Sequence, residues 1–301
     1  MTKPVSQRVK SKISTLSDGV AFASNSFKFV NANKNSIEKE LSKLNSDGVI
    51  KRLRKGIYYK PNQTSLGEEE PTPISIAKAI AKLNEAHLIP DGAMALNLLD
   101  LSNERPMKYV YLNDKLHKRE RIGDIEIVFK RVNPKKLIGS NKKAGLVLSA
   151  INYLGKSAFK EENLISRFAK KLEYKDIKDL DKASKGYPSW VQEKVREIIS
   201  IVNITFDPKL YSYNLFWQTN ERSEQKVYSI ISNYLSSMNE DDIRILCKEF
   251  GKVIVESVLE DKYKKMYEKG YISTNGMDIP LNGKFNRNEM YKQLLGVIND
   301  C

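Results

Sequence analysis

Between Asn31 and Lys60 the chain changes its apolar period within thirty residues, and few folds accommodate that change. Ile37, Leu41 and Leu44, spaced by four and then three, place one apolar stripe along a helix. Asn35 is suited to cap that helix, with Glu38 three residues on in the manner of a capping box. Asp47-Gly48 stops it. Val49 to Leu53 and Ile57 to Tyr59 then read as two short strands, joined across Arg54-Lys55-Gly56, where the glycine permits a tight turn.

Upstream, Val5, Val9, Ile13 and Leu16 mark an opening helix closed by Asp18-Gly19. Val20 to Phe22 suits a short strand, and Ser24 can cap a brief helix carrying Phe27 and Val30. Helix, strand, helix, helix, strand, strand is the order of a winged helix-turn-helix. Its expected core is Val9, Ile13, Leu16, Phe27, Ile37, Leu41, Leu44, Ile50 and Ile57. The polar run Asn62 to Pro73, with Gly67, three glutamates and two prolines, reads as a linker.

Beyond it the pattern predicts helices through Ile76–Leu83 and Met94–Leu99, and strands at Tyr109–Leu112 and Ile125–Phe129. Helices follow at Ala144–Leu154, Glu161–Leu172 and Trp190–Val202. After Lys209, Val227 to Leu235 fits one helix, and Ile243 to Ile254 fits another that continues through Leu259. Gly270 to Gly283 reads as loop, and Met290–Ile298 as a final helix. The expected class is α+β: a winged helix over 1–61, a mixed α/β domain over 74–208 and a helical extension over 209–301.

The net charge of +14 is unevenly placed. Residues 1–60 hold thirteen lysines and arginines against four acids, whereas residues 209–301 hold thirteen of each sign. Positive charge thus concentrates where the helix-strand-strand pattern lies, which points to nucleic acid. In that reading the N-terminal part of the helix (Asn33, Lys34, Asn35 and Ser36, then Lys39 and Lys43) enters a major groove. Lys51, Arg52, Arg54 and Lys55 on the hairpin hold phosphates or a minor groove. For Asn35 and Ser36 capping is the stronger role, and it is compatible with phosphate contact. Tyr58 and Tyr59 are adjacent strand residues that must face opposite ways, so one belongs to core and at most one to a stacking surface.

Little suggests catalysis. His87 and His117 are isolated, and Cys247 and Cys301 lack the spacing of a zinc site. Gly139 to Gly145 lacks the Gly-Lys-Ser/Thr ending of a phosphate loop and reads as a turn before a helix. Glu240-Asp241-Asp242 reads as the acidic first turn of a helix. No cofactor or metal is expected. Two cysteines, one of them (Cys247) within a helical apolar pattern, fit a reducing cytoplasm. No apolar leader and no membrane-spanning stretch stand out.

The stretch Ile37 to Pro61, with Gly48-Val-Ile-Lys-Arg-Leu53 and Gly56-Ile-Tyr-Tyr-Lys-Pro61, resembles the winged-helix start of AbiEi-type antitoxins. Ile89-Pro-Asp-Gly-Ala-Met-Ala-Leu-Asn-Leu-Leu-Asp-Leu-Ser102, Tyr109-Val-Tyr-Leu112 and Ile122-Gly-Asp-Ile-Glu-Ile-Val-Phe129 extend the resemblance over about residues 5–155. It implies a type IV toxin–antitoxin role: an autorepressor that binds double-stranded DNA at its own operator and opposes a nucleotidyltransferase-like toxin. Two copies would pair across an inverted repeat. Asp100 departs from the family, whose members often carry glycine there, and the helices after Lys209 lie outside the resemblance. The alternative is a nucleic-acid-processing enzyme that docks its substrate through the winged helix; a neighbouring nucleotidyltransferase gene would favour the repressor.

Overall fold

In the computed structural model, helix α1 (Val5–Ser14) buries Val9 and Ile13, and strand β1 (Ala21–Ala23) follows. A 3₁₀ helix over Ser24–Val30 leads to α2 (Lys34–Ser46), then β2 (Lys51–Arg54) and β3 (Ile57–Tyr59). The residues described are 4–30, 32–65, 67–104, 106–140, 142–216, 224–274 and 277–301. The three strands form one antiparallel sheet in the order β1-β3-β2. Phe22 lies opposite Tyr58 in register, and both side chains point to the helices, where their rings stack 6.1 Å apart. Val9, Ile13, Phe27, Ile37, Leu41, Leu44 and Ile50 complete that core; Leu16 packs at its margin.

Ile57 belongs elsewhere. With Ala21 and Ala23 it lines the opposite face of the sheet, which α3 (Pro73–Leu83) covers with Ile76, Ala77, Ala79 and Ile80. Ser75 Oγ accepts the Ala21 N–H at 2.6 Å, and Asn25 Nδ2 donates to the Lys82 carbonyl at 2.7 Å. The intervening residues are not an open linker: β4 (Asn62–Thr64) and β5 (Gly67–Glu69) pair antiparallel. Proline and acid there mark a short hairpin, because Glu68 finds partners in Lys51 and Tyr59 rather than solvent alone.

The core around Ile57 continues into a second sheet. Its strands are β6 (Leu88–Pro90), β7 (Tyr109–Asn113), β8 (Lys118–Ile122) and β9 (Ile125–Arg131), in the order β6-β7-β9-β8. β7 and β9 run parallel, and the outer pairs are antiparallel. Tyr111, Ile127 and Phe129 supply the buried face. The short α4 (Ala93–Leu98) adds Met94, and after it Asp100 adopts φ 51°. That left-handed conformation is one that glycine adopts without strain.

These elements make one unit, Met1–Asn141, and Lys142–Cys301 makes the other. The boundary therefore lies far from the 62–73 stretch, because both sheet faces of the first sixty residues are covered within the same unit. The second unit is mainly helical: α5 (Lys143–Ala158), α6 (Glu162–Ala169), α7 (Tyr174–Ser184) and α8 (Ser189–Ser200). Strands β10 (Asn203–Thr205) and β11 (Glu224–Lys226) then pair. The position expected to open a separate extension, Lys209, falls between these paired strands. α9 (Val227–Ser237), α10 (Glu240–Phe250) and α11 (Lys252–Lys269) follow, with Val195, Ile198, Ile231, Leu246 and Val255 fully buried. The helix expected to continue through Leu259 breaks at Gly251, whose φ of 94° is not helical. Gly270 to Gly283, expected as loop, contains the pair β12 (Tyr271–Thr274) and β13 (Met277–Pro280) ahead of α12 (Glu289–Asn299). Among the described residues no helix is long and apolar enough to cross a membrane.

The two-sided burial of the first sheet sets a test. A chain ending at Pro61 leaves Ala21, Ala23 and Ile57 bare, so it should show no cooperative thermal transition by circular dichroism, whereas residues 1–141 should show one. A second test uses Gly56, which has φ 79°; a Cβ there would lie 3.0 Å from Leu83 Cδ2. Gly56→Ala should therefore lower unfolding free energy by about 1–3 kcal/mol in urea titrations.

Candidate nucleic-acid interface

The helix cap is Asn33 rather than Asn35: Asn33 Oδ1 accepts the Asn35 N–H at 3.0 Å. Asn31, Asn33 and Asn35 are chemically equivalent as caps, and apolar spacing cannot choose among them. The Asn33 carbonyl also takes the Ser36 and Ile37 N–H groups at 3.0 and 3.2 Å. These backbone donors are occupied, so the helix start offers side chains rather than free amides. Glu38 does not close a capping box; it pairs with Lys34 at 3.8 Å, one turn apart.

At roughly 100° per residue, α2 sorts its side chains cleanly. Ile37, Leu41 and Leu44 are buried. The opposite face carries Asn35, Ser36, Lys39, Ser42, Lys43 and Ser46, all exposed. It holds two cations, four neutral hydrogen-bonding groups and no acid. Lys34 stands roughly 140° from Lys39 around the helix, so the two do not share one face. Lys34 instead flanks a cleft of about 600 Å³ with Ile37, Glu38, Lys55, Gly56 and Leu83.

The hairpin divides its cations in the same way. Lys51 lies opposite Tyr59 and Arg54 opposite Ile57, on the covered face of the sheet, with a bulge between Arg52 and Arg54. Both meet carboxylates there. Lys51 Nζ donates to Glu68 at 2.5 Å, and Arg54 pairs with Glu120 of β8. The Lys51 and Tyr59 hydrogen bonds hold the Glu68 carboxyl below its ordinary range. Burial pushes Glu120 up, but Lys118 and Arg54 outweigh it and keep that carboxyl low. Arg52 lies opposite Tyr58, on the side that carries the helices, and is exposed; Lys55 is exposed at the turn. Among the described residues, Lys39, Lys43, Arg52 and Lys55 form no salt bridge.

Tyr58 and Tyr59 are both buried, at 4% and 6% exposure, so neither offers a stacking surface. The Tyr59 hydroxyl donates to Glu68 at 2.6 Å. Burial, reinforced by Glu68, pushes its phenol up. In the second unit, Lys142 donates to Asp179 at 2.6 Å and Lys143 lies 3.3 Å from Asp176, so both serve α7. His87 pairs with Asp114 at 3.1 Å. Among the described residues no cluster of three or more histidine, cysteine or carboxylate groups could hold a metal.

Residues 8–180 match the family described as "Family of unknown function (DUF6088)". The chain belongs to this family. No curated protein matches it. Among solved structures it is similar to the RV2827C protein from Mycobacterium tuberculosis, at 11% identity and a TM-score of 0.32, over 66% of this chain and 77% of that one. A likeness that slight carries no argument. The family match runs through the first unit and on to α7, and it leaves residues 181–301 outside.

The division of cations gives distinct expectations. Lys51→Ala and Arg54→Ala should act mainly on stability, with the Arg54 change costing about 1–3 kcal/mol because Glu120 loses a charged hydrogen-bond partner. Both should appear as lower urea midpoints, with nucleic-acid affinity per folded molecule nearly unchanged.

Proposed function

We propose that the N-terminal sixty residues act as a winged helix-turn-helix that binds double-stranded DNA, and that the protein represses its own operon. The observation that carries this reading is the exposed, acid-free face of α2, with Lys39 and Lys43 among asparagine and serine side chains. Such a face suits a major groove: the ammonium groups meet phosphates or guanine edges, while the asparagine and serines meet base edges. Arg52 and Lys55 add exposed positive charge from the hairpin. The net excess of positive charge before residue 60 supports the same partner.

The antitoxin half of the proposal rests on the resemblance of residues 89–129 to AbiEi-type sequences. In that role the protein counters a nucleotidyltransferase-like toxin in the cytoplasm, and two copies meet across an inverted repeat of the operator.

Footprinting on the chain's own upstream region, across a salt series, tests the first half. Protection should be sequence-specific, and log affinity should fall with log salt by about 0.9 per neutralised phosphate. Lys39→Ala/Lys43→Ala should weaken binding and flatten the salt slope by up to about 2 units. An unchanged slope in that double variant, or no protection at low salt, sinks the DNA reading. For the second half, co-expression should restore growth to cells carrying an adjacent nucleotidyltransferase gene; continued growth arrest counts against an antitoxin.

A further inference from the structure

The chain contains two cysteines, Cys247 and Cys301. Both lie in the second unit: Cys247 is within α10, and Cys301 follows Asp300, the residue that caps the end of α12. These helices pack on each other, and the Cys301 thiol lies within hydrogen-bonding reach of Cys247. Cys301 Sγ also donates to the Val297 carbonyl at 3.3 Å, which holds the thiol back along α12. Lys252, at the start of α11, donates to the Asn299 carbonyl at 2.7 Å and so sets an ammonium beside the pair. Cys247 is buried and Cys301 is exposed.

This asymmetry divides the labour that thiol–disulfide exchange requires. The exposed thiol can meet an oxidant, whereas the buried one is shielded from everything except its neighbour. Burial first, and then Cys301, pushes the Cys247 thiol up to about 12, with Lys252 opposing them. Burial keeps Cys247 from meeting the oxidant first and leaves it to resolve a disulfide already formed on Cys301.

We propose that Cys247 and Cys301 form a dithiol switch that closes to an intramolecular disulfide between α10 and the end of α12 when the protein meets a low-molecular-weight disulfide such as oxidised glutathione. In the first step the Cys301 thiolate attacks one sulfur of the oxidant. The oxidant's S–S bond breaks, a mixed disulfide forms on Cys301, and one glutathione leaves as thiolate and takes up a proton. In the second step the Cys247 sulfur attacks the Cys301 sulfur, the mixed S–S bond breaks, and the second glutathione leaves as thiolate and takes up the proton that Cys247 loses. The two cysteines lose two protons and two electrons, and the oxidant gains both as two molecules of glutathione. Closure brings the two sulfurs to about 2.05 Å. The product ties together two cysteines fifty-four positions apart in the chain, so it constrains the unfolded ensemble.

The test is intact-mass analysis of the full chain after incubation with oxidised glutathione, followed by peptide mapping without reductant. The wild type should lose two hydrogens and yield a Cys247–Cys301 linked peptide, and its thermal midpoint should rise by several degrees, reversed by reductant. Cys247→Ser, or Cys247→Ala if the serine variant fails to fold, should stop at a stable glutathione adduct on Cys301. Cys301→Ser should give no intramolecular bond and no adduct. A wild type that accumulates the Cys301 adduct without losing two hydrogens overturns the proposal, as does a Cys247 variant that carries no adduct.

Discussion

The first unit depends on a small sheet that is buried on both faces. β1 and β3 have only three residues each, and every one of them is buried. Phe22 and Tyr58 serve the helical side, while Ala21, Ala23 and Ile57 serve the α3 side. Strands this short cannot stabilise themselves, since an isolated hairpin is marginal in water. Apolar cover on each face removes that weakness. The small side chains of Ala21 and Ala23 let α3 approach closely enough for its serine to reach the Ala21 amide.

That arrangement decides what the basic hairpin can do. A residue on β2 faces either the helices or α3, and the α3 side supplies Glu68 and Glu120. Lys51 and Arg54 therefore serve the fold, whereas Arg52, Lys55 and the cations on the outer face of α2 stay exposed. The surviving positive surface is smaller than a count of lysines and arginines suggests.

The second unit uses a different principle. Its helices bury whole aliphatic faces, with Val195, Ile198, Ile231, Leu246 and Val255 inaccessible to solvent. Gly251 separates α10 from α11 with a φ that a helix cannot contain, so the two helices fold back instead of forming one long rod. That reversal and the short β12–β13 pair bring α12 against α10, and with it the second cysteine toward the first.

The amino-acid sequence determined the α+β class, the order of elements over the first sixty residues and the main helices. Three-to-four spacing reports which side chains share a helical face whatever packs against them, so Ile37, Leu41 and Leu44 were legible as core. The stops at Gly19 and Gly48 were legible because positive φ is a local requirement. Tertiary structure alone decided the rest. A three-residue strand contains no alternation to read, so nothing local told that Ile57 faces α3 or that Tyr58 and Tyr59 are both buried. Ion pairing is set by neighbours distant in the chain: Arg54 meets a carboxylate sixty-six positions away, and Lys51 one seventeen away. The basic segment was thus readable, but which of its cations meet carboxylates was fixed only when the far side of the sheet was covered.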